Sequence, residues 1–172
     1  MNTKLITRTA VLIALLVAVQ YVTKSAGQLV TGSCVNLILA VAALVGGVWC
    51  GVAVAMISPF CAFLLGIGTP ILRLVPAIAL GNLAFVLVLA FLDGKLNFKY
   101  APGLSVVIAA LCKFMLLWGL VVRLLLPSMG LPAEKVAVLS ASFSYPQLIT
   151  ALIGGTLSLL IVPSLRRALG RE

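Results

Sequence analysis

The chain has 172 residues, 63% hydrophobic and 9% charged, with a mean hydropathy of +1.30 and a net charge of +9. No soluble domain of this size needs so much apolar surface, and the repeated runs near the ~20 residues that span a bilayer predict an all-α integral membrane protein. It is read as a single membrane domain over residues 1–172, with no room for a separate soluble domain. The basic residues cluster at the ends of apolar runs, which suits lipid headgroups and topology and argues against nucleic acid.

Glycine, proline and charge divide the chain into six transmembrane helices. The first covers 5–24. Its apolar run after Lys4 and Arg8 is too long for a cleavable signal and leads straight into more membrane. Ala10, Ala14 and Ala18 recur there every four residues on one face, the small-residue stripe that lets helices approach closely in lipid. The second span, 34–45, meets the third, 49–66, almost without a seam at Gly46-Gly47-Val48-Trp49-Cys50-Gly51. The fourth is 73–92, the fifth 103–126 and the sixth 145–162, where Thr150, Gly154 and Ser158 repeat the small-residue pattern. One stripe suits the protein's own bundle and the other a partner subunit, and spacing alone does not say which.

Six spans put both termini on one side, with Lys4, Arg8, Lys95, Lys99, Arg166, Arg167 and Arg171. The other side keeps Lys24, Arg73 and Lys135, with Arg123 near the end of the fifth span. This asymmetry places both termini in the cytoplasm. The segments 25–33, 67–72 and 127–144 are then external, and the second, fourth and sixth spans begin outside. Their N-terminal N–H groups favour negative charge in an external pocket. Thr31-Gly32-Ser33 and Ser144-Tyr145-Pro146 read as cap sequences at two of these ends, with Pro146 tolerated in the first turn.

Lys113 lies in the middle of the apolar run 105–126. An ionisable group at that depth normally faces a cavity or a partner. The three acids, Asp93, Glu134 and Glu172, all fall in loops or tails, so Lys113 has no internal counter-ion. Either an anion from outside supplies one, or the side chain snorkels or bonds to a neighbouring helix.

Reactive chemistry is nearly absent. The chain has no histidine, the usual general base and metal ligand. It has no pair of membrane carboxylates and no Gly-rich phosphate loop ending in Lys-Ser/Thr. Cys34, Cys50, Cys61 and Cys112 have no paired spacing and read as small buried hydrophobes. No catalytic residue, metal or cofactor is expected. What remains is recognition.

The candidate binding residues follow from polarity in apolar surroundings. Arg73 offers a planar fork for carboxylate or phosphate, or anchors a helix end. Gln147 sits one turn inside the last span, bonded to a ligand or to another helix. Asn36 and Asn82 serve either a ligand or the structure. Tyr145 and Trp118 offer flat faces for a ring, or sit at the membrane interface. Gln28 and Lys24 lie in the first external loop.

Several segments together resemble the substrate-binding S components of energy-coupling factor (ECF) vitamin transporters, over essentially the whole chain. The segment Leu5-Ile6-Thr7-Arg8-Thr9-Ala10-Val11-Leu12-Ile13-Ala14 looks like that family's Ala-xxx-Ala signature. Leu74-Val75-Pro76-Ala77-Ile78-Ala79-Leu80-Gly81-Asn82, Leu111-Cys112-Lys113-Phe114 and Pro146-Gln147-Leu148-Ile149-Thr150-Ala151-Leu152-Ile153-Gly154-Gly155 are similar stretches. The resemblance implies an S-component-like bundle whose site lies in the external half. That site would be lined by the last three spans and lidded by the first and third external loops. It also implies that Ala10 and Ala14, extended by Ala18, dock on a transmembrane coupling protein joined to two cytoplasmic ATPases. The implied setting is a prokaryotic cell membrane, and the implied substrate a vitamin-like molecule, anionic or zwitterionic given Arg73 and Lys113. The competing reading is a non-transporting scaffold of the cell-wall elongation type, with no occupied polar pocket and no ATPase partner.

Overall fold

The computed structural model describes residues 3–95 and 100–170. Lys99 and Arg171, used in the charge comparison above, and Glu172, one of the three acids, lie outside the described residues. The apolar runs form helices because hydrocarbon offers no partner to backbone N–H and C=O, which must pair within the segment. The chain runs through α1 (Thr3–Thr23), α2 (Gln28–Val41, continued by the π-helical Ala42–Gly46), α3 (Val48–Leu64) and α4 (Val75–Leu92). It continues through α5 (Ala101–Leu117, extended by the π-helical Trp118–Leu125 and by Leu126–Ser128), the short α6 (Ala133–Ser142) and α7 (Tyr145–Ala168). Five stretches are long and apolar enough to cross a membrane, and α3 is a shorter apolar helix. There is no strand among the described residues. By helix length and hydropathy this is a multi-pass membrane protein.

Several boundaries differ from the sequence reading. The second span begins at Gln28 rather than at 34, because Gly27, at φ +86°, makes the turn out of the short helical turn Lys24–Ala26. Thr31 and Ser33 therefore lie inside α2 and are not caps. Thr31 Oγ1 donates to the Thr23 carbonyl at 2.7 Å and Ser33 Oγ to the Leu29 carbonyl at 2.6 Å. Ser144 precedes α7, yet its hydroxyl donates to Ser140 O at 2.6 Å instead of capping. Pro146 does sit in the first turn of α7. The segment 127–144 folds the short helix α6. The last span runs to Ala168, past Pro163 and beyond 162. The α2–α3 boundary is a one-residue turn at Gly47, whose φ of +95° disfavours any side chain.

One end of the bundle is clipped by Arg166. Its guanidinium donates to the Leu44 carbonyl at 3.2 and 2.8 Å and to Asp93 at 2.6 Å. This brings together the ends of α2, α4 and α7. At the opposite end the start of α2 meets the end of α6, where Gln28 Nε2 donates to Ser142 O at 2.7 Å.

The two small-residue stripes separate in space. Thr150, Gly154 and Ser158 are buried within the bundle. A Cβ on Gly154 would overlap the Ser33 carbonyl and stand 2.7 Å from Asn36 Cβ and Leu37 N, so α7 lies with its backbone against α2. Ala10, Ala14 and Ala18 are exposed. Only 6% of the apolar window of α1 is buried, against 44% for α2 and 50% for α4, so α1 is the peripheral helix.

Gly154→Val is expected to destabilise the protein by at least ~3 kcal/mol, since the obstacle is backbone and cannot repack. Ala14→Val should leave the melting temperature in detergent nearly unchanged. Thermal denaturation followed by size-exclusion chromatography checks both. Equal tolerance of the two changes would contradict the close α2–α7 contact.

Candidate functional site

At the end where α2 and α7 begin, the helices enclose a cavity of about 500 Å³, within the roughly 300–1,000 Å³ common for small-ligand pockets. Lys113 lines it while only 3% exposed. Its ammonium donates to Asn36 Oδ1 at 2.7 Å and to Asn82 Oδ1 at 2.8 Å. An ammonium can only donate, so both amides must turn their oxygens toward it. Asn36 spends its NH₂ group on Gly32 O at 2.8 Å and Thr150 Oγ1 at 3.3 Å, and the Thr150 hydroxyl donates on to Gln147 O at 3.2 Å. One network thus joins α5, α4, α2 and α7. Lys113 Nζ also lies 5.8 Å from the centre of the buried Phe85 ring.

The cation has amide dipoles for partners and no carboxylate. None of the residues lining the cavity is an acid. The third N–H of Lys113 and the NH₂ group of Asn82 make no protein hydrogen bond among the described residues, and both residues line the cavity.

Of the residues singled out from sequence, Lys113, Asn36, Asn82, Gln28, Gln147 and Lys24 line this one space. Gln28 and Gln147 also share an acceptor: Gln147 Nε2 donates to Ser142 O at 3.3 Å, the carbonyl already held by Gln28. Arg73, Tyr145 and Trp118 are not among the lining residues. Arg73 is exposed on the turn Leu72–Leu74, because that turn sends Leu74 into the core instead. Tyr145 is 72% exposed and stacks on Phe114 with ring centres 6.2 Å apart. Trp118 faces the Arg123 guanidinium at 4.7 Å.

The walls also differ from the expected last three spans. α5 and α7 contribute Lys113 and Gln147 alone, while α2, α3 and α4 supply half of the lining and the loop 67–70 adds to it. The reason is packing, since α7 gives its small-residue face to α2. The segment 127–144 does cover the cavity, through Leu139, Ser142 and Phe143, and the first loop reaches it at Lys24 and Gly27. Gln20 on α1 and Ser58 on α3 are lining residues that the sequence reading missed. Both carried the signal used for Asn36 and Asn82, a polar side chain within an apolar span. Gln20 is also two residues beyond Ala18, hence about 200° around the helix from the small-residue stripe.

A second groove, of about 680 Å³, lies along Val48, Leu87, Phe91 and Ile108. Its only charged lining side chain is Lys95, whose ammonium sits 3.4 Å from the centre of the Phe91 ring. It lacks convergent polar groups. No protein-family model, curated protein or solved structure matches the chain.

Asn82→Leu is expected to destabilise the fold more than Lys113→Met. The first change strands a buried ammonium on a single amide, removing a hydrogen bond to a charged group worth about 1.5–3 kcal/mol and leaving the charge less solvated. The second removes the charge itself and leaves amide oxygens short of a donor, at about 1–3 kcal/mol. The double variant should recover part of the Asn82→Leu loss. A double-mutant cycle on melting in detergent checks this, and additive losses would mean that the amides do not support the cation.

Proposed function

We propose that this protein is the substrate-binding subunit of an ATP-driven ECF-type importer, capturing an anionic or zwitterionic vitamin-like molecule. It binds and delivers its cargo without chemistry, and a coupling protein with two ATPases supplies the energy. The observation that carries the reading is Lys113 lining a cavity without acids and held only by the neutral Asn36 and Asn82. A buried cation with unused donors is poised for an anion, through charge-assisted hydrogen bonds worth about 1.5–3 kcal/mol each.

Two further features favour the same reading. The starts of α2, α4 and α7 contribute Gln28, Val75, Ile78 and Gln147 to the lining, so helix N-termini surround the space as an anion prefers. Ala10 and Ala14 lie exposed on the peripheral α1, available to a partner helix. In this reading both termini are cytoplasmic in a prokaryotic cell membrane, and the cavity opens outward beneath α6.

Ala14→Trp should leave folding and ligand retention intact while abolishing co-purification with the coupling protein and ATPases, and uptake with it. In a background lacking the native cysteines, an impermeant thiol reagent should label a cysteine at Glu134 from outside and spare one at Lys95. Co-purification with cell-wall synthesis proteins and no ATPase would favour the scaffold instead. The reverse labelling pattern would put the cavity on the wrong side of the membrane for an importer.

A further inference from the structure

The cavity contains two polar groups that the Lys113 network does not use. Ser58 Oγ and Gln20 Oε1 are buried without a hydrogen-bond partner, and both residues line the cavity. Ser58 is 1% exposed. A serine within a helix ordinarily satisfies itself on the carbonyl four residues back, as Ser33, Ser105 and Ser142 do here. Ser58 makes no such bond. A buried polar atom left unpaired is costly and calls for a partner. These two atoms belong to α1 and α3, which pack on each other, whereas Lys113 comes from α5, which packs on α4 and α7.

We infer that the cavity takes a singly charged carboxylate that also carries a hydroxyl, amide N–H or ring N–H, bound by Gln20 and Ser58. This inference rests on the reading of the protein as a substrate-binding subunit. Gln20 Oε1 can only accept, so the ligand must donate to it, while the Ser58 hydroxyl can donate or accept. At Lys113 the free donors are one ammonium N–H and the Asn82 NH₂ group, matching the two oxygens of a carboxylate. A phosphate dianion would bring more acceptors and twice the charge against a single buried cation whose other two N–H bonds are already committed. Lys24 adds little to that balance, being exposed at the mouth with its ammonium 4.3 Å from the centre of the Tyr21 ring. The lining also includes the apolar Val35, Phe63, Ile78 and Phe143.

The test uses the full-length protein in detergent at fixed ionic strength, loaded with a small-molecule extract of the source cells, washed and then denatured. Mass spectrometry with carboxylate-specific derivatisation and deuterium exchange identifies what is released. The expected molecule has one carboxyl group, no phosphate, and at least one exchangeable hydrogen outside the carboxyl. Lys113→Met should lose it. Ser58→Ala and Gln20→Leu should each bind it about ten- to a hundredfold more weakly with an unchanged or raised melting temperature, since each removes an unpaired buried atom. A phosphate ester, a carboxylate without a donor, or unaltered affinity in both Ser58→Ala and Gln20→Leu would overturn this inference and leave the subunit reading standing. If the parent protein retains no small molecule, the subunit reading fails and the inference falls with it.

Discussion

The structure depends on how a cation is kept inside a membrane protein that offers it no acid. Moving an unpaired charge out of water is opposed by several kcal/mol even after relaxation. Here the opposition is met by two amide oxygens, Asn36 Oδ1 and Asn82 Oδ1, at 2.7 and 2.8 Å from Lys113 Nζ. Amide dipoles solvate the ammonium without neutralising it. A carboxylate in either position would have cancelled the charge and left an external anion little to gain. With asparagines the site stays net positive.

That solution dictates helix packing. Asn36 is oriented by Gly32 O and by Thr150 on α7, which requires α2 and α7 to approach at backbone distance. Gly154 permits it, because any side chain there would run into α2. With α7 spent on that contact, α2, α3 and α4 are left to wall the cavity. The ends of the bundle hold the arrangement in place: Arg166 gathers the ends of α2, α4 and α7, and Gln28 and Gln147 meet on the Ser142 carbonyl over the cavity. The small-residue stripe on α1 takes no part in this packing. In lipid, where apolar helices gain nothing from hiding from their solvent, such an unused close-approach face is suited to another helix.

Much of the fold was legible in one dimension. Five membrane-length stretches and a shorter sixth follow from apolar runs, because the bilayer imposes a length and helices must satisfy their own backbone. Lys113 was legible as a residue that would face a cavity or a partner, because a charge in such a run is costly wherever it points. The start of α2 was misplaced because Thr31, Gly32 and Ser33 resemble a cap, and side-chain bonds to carbonyls within and before the helix look the same in sequence.

Other matters were decided only in three dimensions. Sequence alone determined that the chain crosses a membrane repeatedly, that it has no histidine, and that Lys113 lies within an apolar run. It did not determine which of two similar stripes is internal, since close approach depends on what the facing helix presents, and Ser33, Asn36 and Leu37 are 117 or more positions from Gly154. Nor did it separate Arg73 from Lys113, or place Gln20 and Ser58 in the same cavity as the cation. Charge and polarity are properties of a residue, whereas burial and partnership are properties of the helices that surround it.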